Sequence, residues 1–391
     1  MPQLSYVAAR VGNPASRAWA VGDLAFERMA AGEEIIHLGV GDPDLDTPEP
    51  IRRALASAVE RGRTHYSPIA GEPGTRAAIA AHARALYGGK VTSNQVTVCN
   101  GAQGALFATF QCLAGPGDEV IVLEPFYATY PAAVTAGGAA MVPVALDAQP
   151  GYQLEPARIE AAITPRTRAI LINSPGNPSG TVFSQSATDD LARLCAARGI
   201  WLVSDEVYWS LTYDAPHSSP FRVTEARETT IVVNSLSKSH AMTGWRIGWA
   251  IGPEAFIAAM VNLGQALHFG INQFVQEAAI AALADDATPS RIRQIFRARR
   301  DALIAGLSES KTLRFSTPEG GMFVLADVSK TGLDGKAFAE RLLDAERVAL
   351  VPGFGFGESV KNTVRIGFLC DEPRLTEAAR RITRFADRLE A

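Results

Sequence analysis

Short, uninterrupted apolar runs alternate with helix-like stretches through the middle of this 391-residue chain. Val96-Thr97-Val98, Glu119–Leu123, Ala169–Asn173, Trp201–Ser204, Ile231–Val233 and Ile247–Ala250 read as strands. Ala102–Leu113 and Ala187–Arg198 between them read as helices. A strand that shows water neither face has no reason to alternate apolar with polar residues. Such runs, separated by helices, therefore predict an α/β fold: a mostly parallel sheet covered on both sides. Ligands of these sheets bind beyond the carboxyl ends of the strands.

The flanks differ. Asn13-Pro14-Ala15-Ser16 can start a helix running to about Ala31, before Gly32. Ile35–Leu38 is a short strand, Gly39–Asp44 is turn-rich, and Pro48–Arg61 is a helix with proline in its first turn. From about Thr288 a long charged helix, Arg291–Leu307, carries Arg291, Arg293, Arg297, Arg299 and Arg300. A run of this kind reads as a solvated face. Gly321–Asp327, a helix near Gly335–Ala345 and Asn362–Phe368 then form a smaller α+β unit. The expected organisation is an N-terminal segment, 1–45, packing with a small domain, 288–391, and a large domain, 46–287. The length suits two domains better than one simple core.

Composition excludes several classes. A net charge of −4 offers no basic footprint for nucleic acid. No run approaches the roughly 18 apolar residues that span a bilayer, and Met1–Arg17 lacks the apolar core of a signal peptide. Cys99, Cys112, Cys195 and Cys370 are scattered, and three sit in apolar contexts that predict buried thiols. The six histidines form no cluster with metal-ligand spacing. A cytoplasmic, metal-free protein is expected.

Four strand ends carry chemistry. Ser235-Leu236-Ser237-Lys238 follows one strand, with Arg246 eight residues beyond the lysine. Hydroxyls and a guanidinium suit a phosphate monoester, and an adjacent lysine suits an aldehyde. Pyridoxal 5'-phosphate has both groups and binds through a lysine Schiff base. Alone, a lysine among serines is an ordinary surface residue. In Asn173–Gly180, Asn177 lies between two prolines, either as a plain turn or as an amide offered to a ring oxygen. Asp205 and Tyr208 follow another strand. Asp205 can cap a helix or pair with a ring nitrogen, since a buried carboxylate needs a partner. Asn100-Gly101-Ala102-Gln103 opens a helix whose free N–H groups suit a phosphate. Tyr127 can be a core aromatic or a stacking surface for a ring.

These segments in this order resemble the class I aminotransferases, which are fold type I pyridoxal-phosphate enzymes. The likeness runs from Leu38 to Phe368 and rests on N-P-S-G, D-E-V-Y, S-L-S-K and M-T-G-W-R-I-G, with Gly39–Pro48 and Tyr66–Gly71 also matching. The resemblance implies a mostly parallel seven-stranded sheet between helices plus a small domain. It implies that Lys238 holds the cofactor aldehyde, that Asp205 binds the ring nitrogen, and that Asn177 and Tyr208 bind the ring oxygen. Tyr127 falls where the family stacks its ring. Gly101, Ala102, Ser235, Ser237 and Arg246, with the neighbouring Gln103, fall at the phosphate. Tyr66 matches a tyrosine that reaches the phosphate of a second subunit, which implies a homodimer with shared sites. Arg365 matches the arginine that grips the substrate α-carboxylate, and Gly41 the glycine beside it. Without the family, Arg365 reads as a surface residue on an edge strand. Gly71-Glu72-Pro73-Gly74-Thr75-Arg76 departs from the family pattern ahead of its arginine, at a place that touches packing and no cofactor residue.

The implied activity is ping-pong transfer of an amino group from an L-amino acid to a 2-oxo acid. Asn234–Trp245, Ile163–Ala169 and Asn173–Pro175 resemble most the arginine–pyruvate transaminase branch. Aspartate and aromatic aminotransferases and C–S β-lyases share the scaffold. An aminotransferase-like effector module of a transcription regulator needs a DNA-binding domain, for which the residues before about 35 leave no room. Trp19, Val40 and His268–Phe274 are the candidates for side-chain selection.

Overall fold

The structure, a computed structural model, describes residues 2–12 and 14–389. Asn13, expected to start the first long helix, lies outside them. Pro14–Trp19 forms a 3-10 turn leading into the helix Ala20–Ala30. In chain order the strands are β1 (Ile36–His37), β2 (Val96–Asn100), β3 (Glu119–Glu124), β4 (Ala140–Ala145), β5 (Thr167–Asn173), β6 (Trp201–Asp205), β7 (Thr230–Ser235), β8 (Ile247–Ile251), β9 (Phe323–Asp327), β10 (Val348–Ala349), β11 (Val351–Pro352) and β12 (Thr363–Gly367).

Seven of them form one sheet in the order β2-β8-β7-β6-β5-β3-β4. Only β8 runs against its neighbours. Both faces are covered. On one side Val120 and Val122 of β3 share a core with Ala105, Leu106 and Phe110 of the helix Gly101–Leu113. On the other, Ile121 and Leu123 pack with Leu191, Ala192 and Cys195 of the helix Gln185–Arg198. Each fully buried Val, Leu or Ile side chain contributes roughly 1.5–3 kcal/mol, so the continuous apolar runs follow directly from this double covering.

Edge strand β4 is absent from the expectations above. Its sequence, Ala140-Met141-Val142-Pro143-Val144-Ala145, contains a proline and is mostly exposed or half-buried. Proline has no N–H for a ladder, so it is confined to edges. In a chain read for buried strands it hides the element.

β9, β11 and β12 make a three-stranded antiparallel sheet with β12 in the centre. β1 pairs in parallel with β10. Val21, Ala25, Ile35 and Leu38 share one core with Phe296, Leu303, Phe338, Leu342, Ile366 and Leu375. The long helix spans Ala287–Leu307. Its arginines are not all solvated. Arg291, Arg293 and Arg297 are exposed, but Arg299 and Arg300 are buried. Arg299 binds Asp44 through both terminal nitrogens, at 2.6 and 2.9 Å. Arg300 binds Asp214 at 2.5 Å and the Pro318 carbonyl at 2.9 Å. A charge count cannot show that carboxylates from distant loops meet one side of a helix. All four cysteines are free, and two of them rather than three, Cys99 and Cys195, are buried. Among the described residues no helix is long and apolar enough to cross a membrane.

Candidate active site

The sheet register gathers the loaded segments at one edge. β5 and β6 pair Asn173 with Asp205, and β6 and β7 pair Asp205 with Val233. β7 pairs Ser235 with Gly248, and β2 pairs Asn100 with Ile247 of the antiparallel β8. Asn173, Asp205, Ser235 and Asn100 are thus the last residues of four strands on the same edge. A cavity of about 190 Å³ opens there. Gly41, Ala102, Gln103, Tyr127, Asn177, Asp205, Tyr208, Ser235, Ser237, Lys238, Arg246 and Arg365 line it, with Trp19, Leu106, Tyr130, Asn173, Val207 and Thr243.

Lys238 donates from Nζ to the Gly41 carbonyl at 2.5 Å. Burial pushes its amine down to about 8, against the pull of Asp42, and Arg246 and Arg365 push the same way. Near neutral pH a useful fraction of the amine is therefore free to act as nucleophile and base.

Asp205 is buried, with Oδ2 accepting from Tyr130 OH at 2.7 Å and Oδ1 from the Val207 N–H at 3.2 Å. The second contact gives it the turn-capping role open in the sequence, and its place in the cavity wall leaves the pairing role open as well. Burial raises its carboxyl to about 6, with Glu206 adding to the rise, while Tyr130, Val207 and Lys238 oppose it. Asn177 Nδ2 donates to the Tyr208 hydroxyl oxygen at 3.4 Å, which leaves the phenolic proton to be donated elsewhere. Burial raises Tyr208, so it is a neutral phenol at any physiological pH.

Gly101 has φ +70°, a conformation that favours glycine. A Cβ there would lie 2.5 Å from Arg246 Nη2, so glycine is what lets the guanidinium reach the helix N-terminus. Arg246 spends Nη1 on the Thr243 carbonyl at 2.8 Å. Ser235, Ser237 and the first N–H groups of Gly101–Leu113 complete a cradle that fits a phosphate. Gln103 is a wall residue whose Oε1 accepts from Thr129 Oγ1 at 2.8 Å.

Arg365 is no edge residue. It sits on the central strand β12 with 1% exposure. Nη1 donates to Asn177 Oδ1 at 2.9 Å and Nη2 to the Gly39 carbonyl at 2.5 Å, while buried Nε has no partner among the described residues. The guanidinium is 4.0 Å from the centre of the Phe323 ring, with Phe356 at 5.1 Å and Trp19 at 5.4 Å. Burial lowers it to about 10. A buried cation held by neutral groups fits a substrate carboxylate.

Tyr66 lies apart from Lys238. It is 81% exposed and borders a surface cleft with Ser67, Asn100, His268 and Ile271. His268–Phe274 likewise contributes nothing to the Lys238 cavity, and Val40 lines only the adjoining cleft. Sequence reading missed Tyr130. Its signal is an aromatic three residues after Tyr127 in a strand-end loop, but no spacing rule ties it to a carboxylate 75 positions away.

The model of the aminotransferase class I and II family matches residues 33–382. The arginine–pyruvate transaminase of Pseudomonas aeruginosa is 44% identical over 374 residues, 95% of each chain. The aspartate/prephenate aminotransferase of Thermus thermophilus is 39% identical, covering 94% of this chain and 95% of its own. The solved aspartate aminotransferase from Thermus thermophilus with maleate superposes with a TM-score of 0.93 at 38% identity, over 98% of this chain and 100% of that one.

Proposed function

The chain belongs to the class I and II aminotransferases, and from that premise we propose that its cavity holds pyridoxal phosphate at Lys238 and moves an amino group from a basic L-amino acid, arginine foremost, to pyruvate. The single observation that carries the cofactor is the meeting in one cavity of a buried lysine lowered to about 8, a buried carboxylate and a glycine-built phosphate cradle. Similarity to the arginine–pyruvate transaminase supports the substrate pair. So does a second cleft of about 280 Å³, joined to the first at Trp19 and Gly41, whose wall includes the acidic Asp23.

When bound, pyridoxal phosphate supplies an electron sink for the carbanion left as a proton leaves Cα. Asp205 would hold the ring nitrogen in its protonated form. Asn177 and Tyr208 would hold the ring oxygen, and Tyr127 would supply an aromatic surface for the ring. Ser235, Ser237, Arg246 and the N–H groups of Gly101 and Ala102 hold the phosphate, with Gln103 beside them. Arg365 takes the α-carboxylate next to Gly41 and so orients Cα. Lys238 Nζ would take the Cα proton and return it in the reverse direction, a task that needs a neutral amine.

The assembly is a homodimer. The exposed Tyr66 would reach the partner's phosphate cradle, and within the chain the exposed Phe269 packs edge-on against the Tyr66 ring at 5.2 Å. We read residues 46–287 as the large domain and 288–391 as the small one, with 1–45 joined to the latter, supported by the β1–β10 pair and the shared core. Four free cysteines favour the cytoplasm.

The test is a half-reaction. Protein loaded with pyridoxal phosphate is mixed with L-arginine, L-aspartate, L-alanine or L-phenylalanine without an acceptor, and the 2-oxo acid is quantified. One equivalent per site, formed fastest from arginine and reversed by pyruvate with release of alanine, is expected. Faster conversion of aspartate would overturn the donor. Continuing release of ammonia without an acceptor would overturn transamination in favour of a lyase.

A further inference from the structure

We propose that Tyr130 is the positioning residue that keeps Asp205 ionised and aimed into the cavity. It reaches Asp205 from the loop after β3, across β5, and places its hydroxyl 2.7 Å from Oδ2. Tyr130 begins the short helix Tyr130–Thr135, and its backbone N–H is tied to the Tyr127 carbonyl at 2.9 Å. Its ring stands edge-on to Tyr127, centroids 5.7 Å apart at 86°. One side chain thus braces both the aromatic wall and the carboxylate.

The electrostatics explain why such a donor is required. An ionised carboxylate out of water is costly unless donors surround it. Asp205 has two, Tyr130 OH and the Val207 N–H. Against them stands Glu206, the next residue and fully buried, which accepts from Tyr87 at 2.8 Å, His217 at 2.8 Å and Ser219 at 2.6 Å. Its proximity pushes Asp205 toward its neutral form. Lys238 pulls the other way, and Tyr127 and Tyr208 face Asp205 as neutral phenols. The balance leaves the carboxyl near 6, just inside the ionised range at neutral pH. Loss of the Tyr130 hydroxyl removes a donor to the charged form, so the carboxyl must rise.

The inference rests on the cofactor reading above, and its test separates the two. Pyridoxamine phosphate is the probe, because its ring and phosphate bind without any bond to Lys238. Its affinity is measured against pH for the cofactor-free wild type, Tyr130→Phe and Glu206→Gln. Phenylalanine keeps the ring and its packing. At pH 5 we expect Tyr130→Phe to bind about tenfold more weakly, narrowing to about twofold at pH 7, as the acidic fall-off in affinity moves up by about one pH unit. Glu206→Gln moves the fall-off down. In the full reaction Tyr130→Phe lowers kcat, while the donor KM stays within about twofold. A uniform loss at every pH, with the fall-off unmoved, would assign Tyr130 a packing role and overturn the proposal. So would unchanged affinity. If Tyr130→Phe does not fold, an unmoved fall-off in Glu206→Gln overturns the electrostatic account. A wild type that binds no pyridoxamine phosphate would instead overturn the cofactor reading.

Discussion

Lys238→Ala is expected to leave a folded protein that turns over at least about 10⁴-fold more slowly. No other cavity residue can replace Nζ as base. Asp205 is held by Tyr130 and Val207, Tyr208 is a neutral phenol, and the guanidinium of Arg365 is engaged by Asn177 and Gly39. Folding should survive, because burial already disfavours the charged amine that is removed. Its hydrogen-bond partner among the described residues, the Gly41 carbonyl, faces the cavity and can be solvated. Steady-state turnover and thermal unfolding, measured on the same preparation, check both halves. A small primary amine added to the variant should restore part of the rate, since it supplies a mobile base. Turnover within about tenfold of wild type would remove Lys238 from the chemistry.

Arg365→Met should lower kcat/KM by about 10²–10³-fold for every amino acid donor, whatever its side chain. The α-carboxylate is common to all of them, so a residue that grips it cannot discriminate. The same change should leave the melting temperature unchanged or raised. The guanidinium is buried, is pushed down to about 10, and its hydrogen-bond partners Asn177 and Gly39 are neutral. Exchanging such a cation for an apolar chain of similar length, among Phe323, Phe356 and Trp19, removes a desolvation cost that its neutral partners offset only in part. Arg365→Lys should not rescue activity, because an ammonium lacks the planar two-pronged fit. A stability loss matching the activity loss would show Arg365 to be structural.

Much of this site is legible from the chain because its residues sit at strand ends, and strand ends are where an apolar run stops. Lys238, Asp205, Ser235 and Asn177 each follow such a stop within a few residues. The register then brings them together without further information, since parallel neighbours end on the same edge. Arg365 is less legible. Its strand is short, and only its central place between β9 and β11 turns an edge-like arginine into a buried one. Tyr130 and Glu206 are not legible as partners of anything. Their roles come from contacts over 75 and 119 positions, Tyr130 with Asp205 and Glu206 with Tyr87. The buried Arg299 and Arg300 failed for the same reason, their carboxylates lying 255 and 86 positions away. Strand β4 was lost to Pro143, which an edge tolerates.

The most direct measurement reduces the protein with sodium borohydride after mixing it with pyridoxal phosphate, then maps the modified peptide by mass spectrometry. The reagent fixes a carbonyl compound wherever a lysine amine holds it. The account predicts one stoichiometric label, on Lys238, prevented when a donor amino acid is added before the borohydride. A label spread over surface lysines, or one on Lys238 that no amino acid can displace, would contradict it.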